Sequence, residues 1–341
     1  MAYITLKRQH FFHNLDIIAK LSKGKDKIAL VLKDNAYGHG LREIASMAAE
    51  YGITKAVVRN DSEAKQVENF FEYILVLADK PKEASSKIRY TINDIDSIMH
   101  FPPGTKVELK VNSGMNRNGI EAEQLKDAFA AITKQQLTLE GVFTHHACAD
   151  ESDELFYRMQ QENFEQIQQE AKELASQYKI EPLRFHSCNS AALFRSNDFH
   201  EDMARVGIAA YGCLEMPEGF ESDAKQLKPL LSLYAKRISK RYLQAQQSVG
   251  YGATYRLQEA QMISNYDFGY ADGFLRSTAA SYMTPNKELL AGRISMDNSS
   301  FVSDAEEILI YNDARELAKS AGTISYEVLT ALRADLERRV V

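Results

Sequence analysis

The sequence has only three cysteines, Cys148, Cys188 and Cys213, set far apart and without a CxxC pair. Three thiols cannot all pair, so a disulfide framework is not expected and a reducing cytoplasm is the simplest setting. No apolar run approaches the length that spans a bilayer. The N-terminal stretch MAYITLKRQHFFHNL is broken by charges and leaves no core for a signal peptide. Basic charge is not in surplus: 41 Lys and Arg stand against 47 Asp and Glu, a net charge of -6. With no block of Lys and Arg either, neither nucleic acid nor an anionic membrane is an expected partner. GxxxxGK[ST], GxGxxG, HExxH and GxSxG are all absent, which removes support for nucleotide loops, zincins and a serine elbow. The histidines have no metal spacing except the adjacent pair His145 and His146, whose side chains should point to opposite faces of a strand. No metal site is expected.

What the sequence has is alternation. Short β-rich runs at 27–33, 56–58, 73–78, 87–93, 106–112, 139–147, 183–189 and 204–212 alternate with helical periodicity at 41–51, 61–71, 94–101, 121–136 and 152–178. Most of the runs are continuously apolar, the mark of parallel strands buried on both faces. Eight such units predict an α/β fold, a (β/α)8 TIM-type barrel over residues 1–225, with a doubly wound open sheet as the rival. Beyond PEGFESDAKQLKP (217–229), short strands with glycine-bearing turns predict a C-terminal mostly-β domain over 226–341. The first few residues of the chain are left open to pairing with this β domain.

In barrels the chemistry sits at the C-terminal strand ends. Lys33 closes the first strand, in VLKDNAYGHG. Lys110 and Asn112 close the fifth, with Arg117 beyond, and His145 and His146 close the sixth. His186 lies in the seventh, with Asn189 and Ser190 after it, and Arg205 opens the eighth, before Gly207. Five such ends suggest a pocket for an anion. Ser190 and the amides around Gly207 are natural phosphate donors. A strand-end lysine can form a Schiff base, so pyridoxal 5'-phosphate (PLP) and an aldol-type site for a phosphorylated sugar both remain open. Bland readings stand beside these. Lys33 reads equally as a solvated strand-end residue, Lys110 as an ion-pair lysine, His186 as a structural histidine and Tyr251 as a core aromatic.

VLKDNAYGHG resembles the PLP-lysine motif of the bacterial alanine racemases. LKVNSGMNRNGI (109–120), GVFTHHACAD (141–150), HSCNSAALFR (186–195), ARVGIAAYG (204–212), VGYGATY (249–255), GYADG (269–273) and GRISMDN (292–298) resemble that family's successive blocks, in order. The resemblance implies a PLP-dependent enzyme of fold-type III that interconverts L- and D-alanine with two bases and supplies D-alanine for peptidoglycan. It also implies a homodimer in which each site is completed by the partner's β domain. Carried over by position, Lys33 would hold PLP, and Tyr251 of the partner would be the second base. Tyr37, Ser190, Gly207 and Ile208 would contact the phosphate, and His145 would lie against the cofactor. Arg205 would face the pyridine nitrogen. Arg117 and the partner's Met296 would bind the substrate carboxylate, and Tyr270 would line the access channel. Lys110 matches a position carbamylated in some members. Because arginine does not readily release a proton, Arg205 would leave that nitrogen unprotonated and weaken the electron sink, which limits side reactions.

Three departures from the family pattern stand out. Asn112-Ser113 replaces Asp-Thr, with loss of a charge expected near Arg117. Ser295 stands where cysteine is common. After TISYE (323–327) no tyrosine follows to contact the phosphate, so that contact is expected to be missing or supplied by another group. A broad-specificity or serine-preferring racemase and a non-catalytic PLP-binding homeostasis protein are the alternatives, the second resembling the barrel alone.

Overall fold

The computed structural model describes residues 1–180 and 182–341. The first strand, β1 (Tyr3–Leu6), is followed by a helix over Arg8–Leu21. Eight parallel strands then form the barrel wall: β2 (Ile28–Val31), β3 (Lys55–Val58), β4 (Tyr73–Val76), β5 (Ile88–Ile92), β6 (Lys106–Lys110), β7 (Thr138–Phe143), β8 (Arg184–His186) and β9 (Ala204–Val206). Their order is β8-β7-β6-β5-β4-β3-β2-β9. β2, β4 and β5 are buried at every position, as continuous apolarity predicts.

The ladder does not run from β8 to β9. Carboxylates fill this seam. Asp202 accepts the Phe185 N–H at 2.7 Å, and Glu201 accepts the Ser187 and Cys188 N–H groups at 2.6 and 3.0 Å. Two backbone bonds cross beside them, Arg205 N–H to Cys188 O at 2.9 Å and Asp202 N–H to Phe185 O at 3.2 Å. Buried amides must find an acceptor, and here two acidic side chains provide it.

Several helices differ in extent from the periodicity. The 61–71 stretch is helical only over Asp61–Val67, and 94–101 forms a 3-10 turn over Asp96–His100. The 121–136 stretch divides into a 3-10 turn at Ala122–Gln124 and a helix over Leu125–Lys134. Among the described residues no α-helix lies between β9 and the second domain. The Arg8–Leu21 helix packs against the turns there instead, with Asn14 Nδ2 donating to Ala210 O and Lys228 O at 3.1 and 2.8 Å. Its buried Phe11, Leu15 and Ile18 follow the 3.6-residue period.

The second domain is built around β10 (Leu231–Leu243), which carries irregularities of register at Leu233/Tyr234 and Arg237/Ser239 and so bends through the sheet. β1 lies in this sheet rather than in the barrel. It runs antiparallel to β10 and parallel to the strand Glu337–Val340. Among the described residues no helix is long and apolar enough to cross a membrane.

Candidate active site

The chain leaves β2 at Leu32 and enters an unusual turn. Asp34, Asn35, Ala36 and Tyr37 all have positive φ (55, 55, 52 and 49°), and Gly38 follows at 76°. One left-handed non-glycine residue costs about 1–2 kcal/mol; four in succession need external support. Glu63, from the helix after β3, accepts the Asp34 N–H at 2.8 Å and the Arg59 N–H at 2.7 Å, with a longer contact to the Asn35 N–H at 3.4 Å. Asn35 Oδ1 accepts the Leu41 N–H at 2.8 Å. On the other side Arg338 donates twice to Gly38 O, at 2.8 and 3.1 Å. A Cβ on Gly38 would meet Leu329 O at 1.9 Å, so only glycine fits there.

This turn places Lys33 and Tyr37 on the wall of a cavity of about 640 Å³ at the C-terminal ends of the strands. Lys110, Arg117, His145, Ser190, Arg205, Gly207 and Ile208 line the same cavity. Every barrel residue that the resemblance assigns to the site is thus brought together, whereas Asn112 and His186, expected at the same strand ends, do not line the cavity. The side chains of Lys33, Lys110 and Arg117 form no ion pair or hydrogen bond with the described residues, so three unpaired cations converge on one space. Burial, reinforced by Arg117, Arg205 and Lys33, lowers Lys110 to about 8. Burial and then Arg205 hold His145 well below the ordinary histidine range, which leaves it neutral.

Arg205 is fixed from behind. Its NH2 donates to Thr144 O at 2.7 Å and Ser187 O at 3.0 Å, and its NH1 donates to His186 Nδ1 and, at 3.2 Å, to His186 O. Its Nε–H has no acceptor among the described residues, and Arg205 lines the cavity. Opposite lies a small cradle. Ser190 Oγ accepts the N–H groups of Gly207 and Ala209 at 3.1 and 3.4 Å. A Cβ on Gly207 would sit 2.9 Å from Tyr37 Oη, so backbone and phenol approach as closely as glycine allows.

The structure bears on two of the departures. A tyrosine near the C-terminus does reach the site: Tyr326, within TISYE itself. It lines the cavity, with its ring 5.7 Å from that of Tyr37. Among the described residues Asn112 makes no hydrogen bond to Arg117. Its Nδ2 donates to Glu121 at 3.0 Å and to Asn116 at 2.8 Å, so an aspartate here would oppose the Glu121 carboxylate.

Tyr251, Met296 and Tyr270 lie outside this cavity. They are exposed on the second domain at 68, 54 and 40 %. Their loops are neighbours: Tyr270 N–H donates to Ser295 O at 3.0 Å, and Ala271 N–H to Met296 O at 2.9 Å. Sequence reasoning passed over Asp150, Ile324 and Thr330, which also line the cavity.

The family model for the alanine racemase N-terminal domain matches residues 6–215, and that for the C-terminal domain matches residues 230–340. This chain belongs to the alanine racemase family. An alanine racemase of Nitratiruptor sp. is 43% identical over 99% of both chains, and one of Campylobacter concisus is 38% identical over 100% of both. A solved alanine racemase of Clostridium difficile 630 superposes with a TM-score of 0.90 at 25% identity, over 100% of this chain and 95% of that one. One from Bacillus anthracis, with bound L-Ala-P, gives 0.86 at 26% identity, over 100% and 95%. The alanine racemase fold is therefore present in both its parts, the eight-stranded barrel and the β domain.

Proposed function

We propose that this protein racemises alanine with PLP as cofactor, by a two-base mechanism, as a cytoplasmic homodimer that supplies D-alanine for peptidoglycan. The observation that carries the reading is the convergence of Lys33, the Gly207–Tyr37 cradle and the Arg205 Nε–H on one cavity. The residues fit the cofactor. An amine stands on the wall, a glycine lets backbone approach Tyr37 and Ser190, and one arginine donor is free at a buried site. When bound, PLP supplies the ring that disperses negative charge from the substrate Cα.

The chain's own groups do the rest. Lys33 Nζ holds PLP and exchanges the proton on one face. Tyr251 Oη of a second copy exchanges it on the other, since two opposed groups achieve inversion more simply than one mobile base. Arg117 is the cation for the substrate carboxylate, joined by Met296 of the second copy. Tyr37, Tyr326 and Ser190 with the Gly207–Ile208 backbone would hold the phosphate, His145 would contact the cofactor, and the free Arg205 Nε–H would donate to its pyridine nitrogen. Tyr270 narrows the access channel. The match of the second family model over 230–340 speaks against the non-catalytic homeostasis reading, whose proteins lack this domain.

The test is a coupled assay for D-alanine made from L-alanine by purified protein with added PLP. Lys33→Ala is expected to lose both the activity and the visible absorbance of the lysine imine. An absorbance band retained in that variant would sink the assignment. Relative rates with L-serine decide against or for the serine-preferring alternative.

A further inference from the structure

We propose that Glu63 is a positioning residue: its carboxylate clamps the left-handed turn and so sets the direction of Lys33 and Tyr37. The inference rests on the function proposed above and adds a residue remote from the reacting atoms. The Asp34 N–H belongs to the peptide that also carries the Lys33 carbonyl, so the 2.8 Å bond from Asp34 N–H to Glu63 Oε1 fixes the plane immediately after the lysine. The other carboxylate oxygen takes the Arg59 N–H at 2.7 Å, at the end of β3. One side chain therefore ties the lysine's peptide to the neighbouring barrel strand. Glu63 is itself anchored, because Asn60 Oδ1 accepts its N–H at 2.9 Å and caps the Asp61–Val67 helix. The Arg59–Asp34 ion pair at 3.1 Å closes the same corner from outside.

The strain makes the clamp necessary. Ala36 and Tyr37 have no side-chain device that favours positive φ, and both are buried. Without an acceptor for the Asp34 amide, the turn gains by relaxing toward right-handed conformations, and the lysine swings with it. Loss of position at a catalytic amine lowers turnover steeply, by up to about a hundredfold for a displacement near 1 Å.

The experiment compares wild type, Glu63→Ala and Glu63→Ala with Ala36→Gly, all as holoenzyme. Glycine removes the cost of positive φ at residue 36 but restores no clamp. Expected for Glu63→Ala are a lower melting temperature, weaker PLP rebinding to the stripped protein, and kcat reduced by about tenfold or more with KM little changed. The glycine variant is expected to regain melting temperature without regaining kcat. If kcat returns together with the melting temperature, Glu63 supports folding only and the proposal fails. Wild-type kcat and PLP affinity in Glu63→Ala also overturn it. Should Glu63→Ala not fold, Glu63→Gln decides, since it keeps one carbonyl acceptor and opposes an NH2 to the other amide. Reduced kcat at wild-type melting temperature supports the clamp, and unchanged kcat refutes it. If wild type itself binds no PLP, the proposed function fails instead.

Discussion

The Glu108 carboxylate lies 2.7 Å from Nε2 of His186, with both side chains fully buried. Arg205 addresses the other ring nitrogen, so the imidazole donates from Nε2 and accepts at Nδ1. Glu108 thereby selects the tautomer that can receive an arginine. Burial opposes its charge, but His186, Arg184 and Tyr73 more than offset this and hold its carboxyl at about 2. Glu108→Leu strands Arg184 and His186 without their acceptor and is expected to destabilise the fold by about 3–5 kcal/mol. Urea denaturation measures this. The native carboxyl lies below its unfolded value of 4.5, so its contribution is present above that value and is lost as pH falls toward 2.

Gly207→Ala puts a methyl group within 2.9 Å of Tyr37 Oη. Expected is PLP affinity weakened by about tenfold or more, with melting temperature of the stripped protein changed far less. Fluorescence titration with PLP gives the answer, and unchanged affinity would remove Gly207 from the cradle.

Tyr326→Phe tests the tyrosine that the sequence pattern concealed. If Tyr37 and Tyr326 share the phosphate, each single Phe variant loses one hydrogen bond to a charged group, about 1.5–3 kcal/mol or some tenfold or more in PLP affinity. The double variant should lose more than either. A Tyr37→Phe variant that accounts for the whole loss would exclude Tyr326.

Lys110 is a buried cation beside three others. Lys110→Met should raise stability by about 2 kcal/mol, because an unpaired buried charge is replaced by an apolar chain of similar reach. Racemase activity should fall in the same variant. An amine lowered to about 8 also has a substantial free-base fraction near neutrality and so can take up carbon dioxide. Intact mass in bicarbonate, compared with a bicarbonate-free sample, reports whether it does.

His39 and His146 are held at about 4, in both cases chiefly by burial. Their unfolded values are 6.5, so between these limits the unfolded chain binds more protons. Stability is therefore full above pH 6.5 and falls as pH drops toward 4, by up to about 3 kcal/mol per group. Denaturant midpoints across this window should decline steadily, and His39→Asn should flatten the decline. A level profile in wild type would contradict the burial.

The barrel strands were legible because burial on both faces imposes unbroken apolarity, a local signal. The cations and Ser190 at the strand ends were legible for the complementary reason: polar groups that close apolar runs stand out. Tyr326 was not. It reaches the cavity from the C-terminal domain by tertiary packing, and nothing in TISYE distinguishes it from a surface tyrosine. Glu63 looks like any acidic residue in a first helical turn, and Glu108 interrupts an apolar strand without showing that His186 and Arg184 will meet it. The Arg8–Leu21 helix carried a readable period, but its first turn has neither a capping side chain nor an acidic residue to mark its start. The orientation of Asn112 depended on Glu121, nine residues on.

β1 has a consequence for the order of assembly. It is gripped by β10 on one side and by Glu337–Val340 on the other, and Arg8 N–H reaches back to Val341 O at 2.9 Å. β1 must therefore wait until Glu337–Val340 has been made before both its edges are satisfied. Such distant pairing slows folding. Until it forms, a nascent chain with a largely complete barrel still exposes a bare strand edge, which makes the interval before Glu337–Val340 docks the period when the protein most needs protection from self-association.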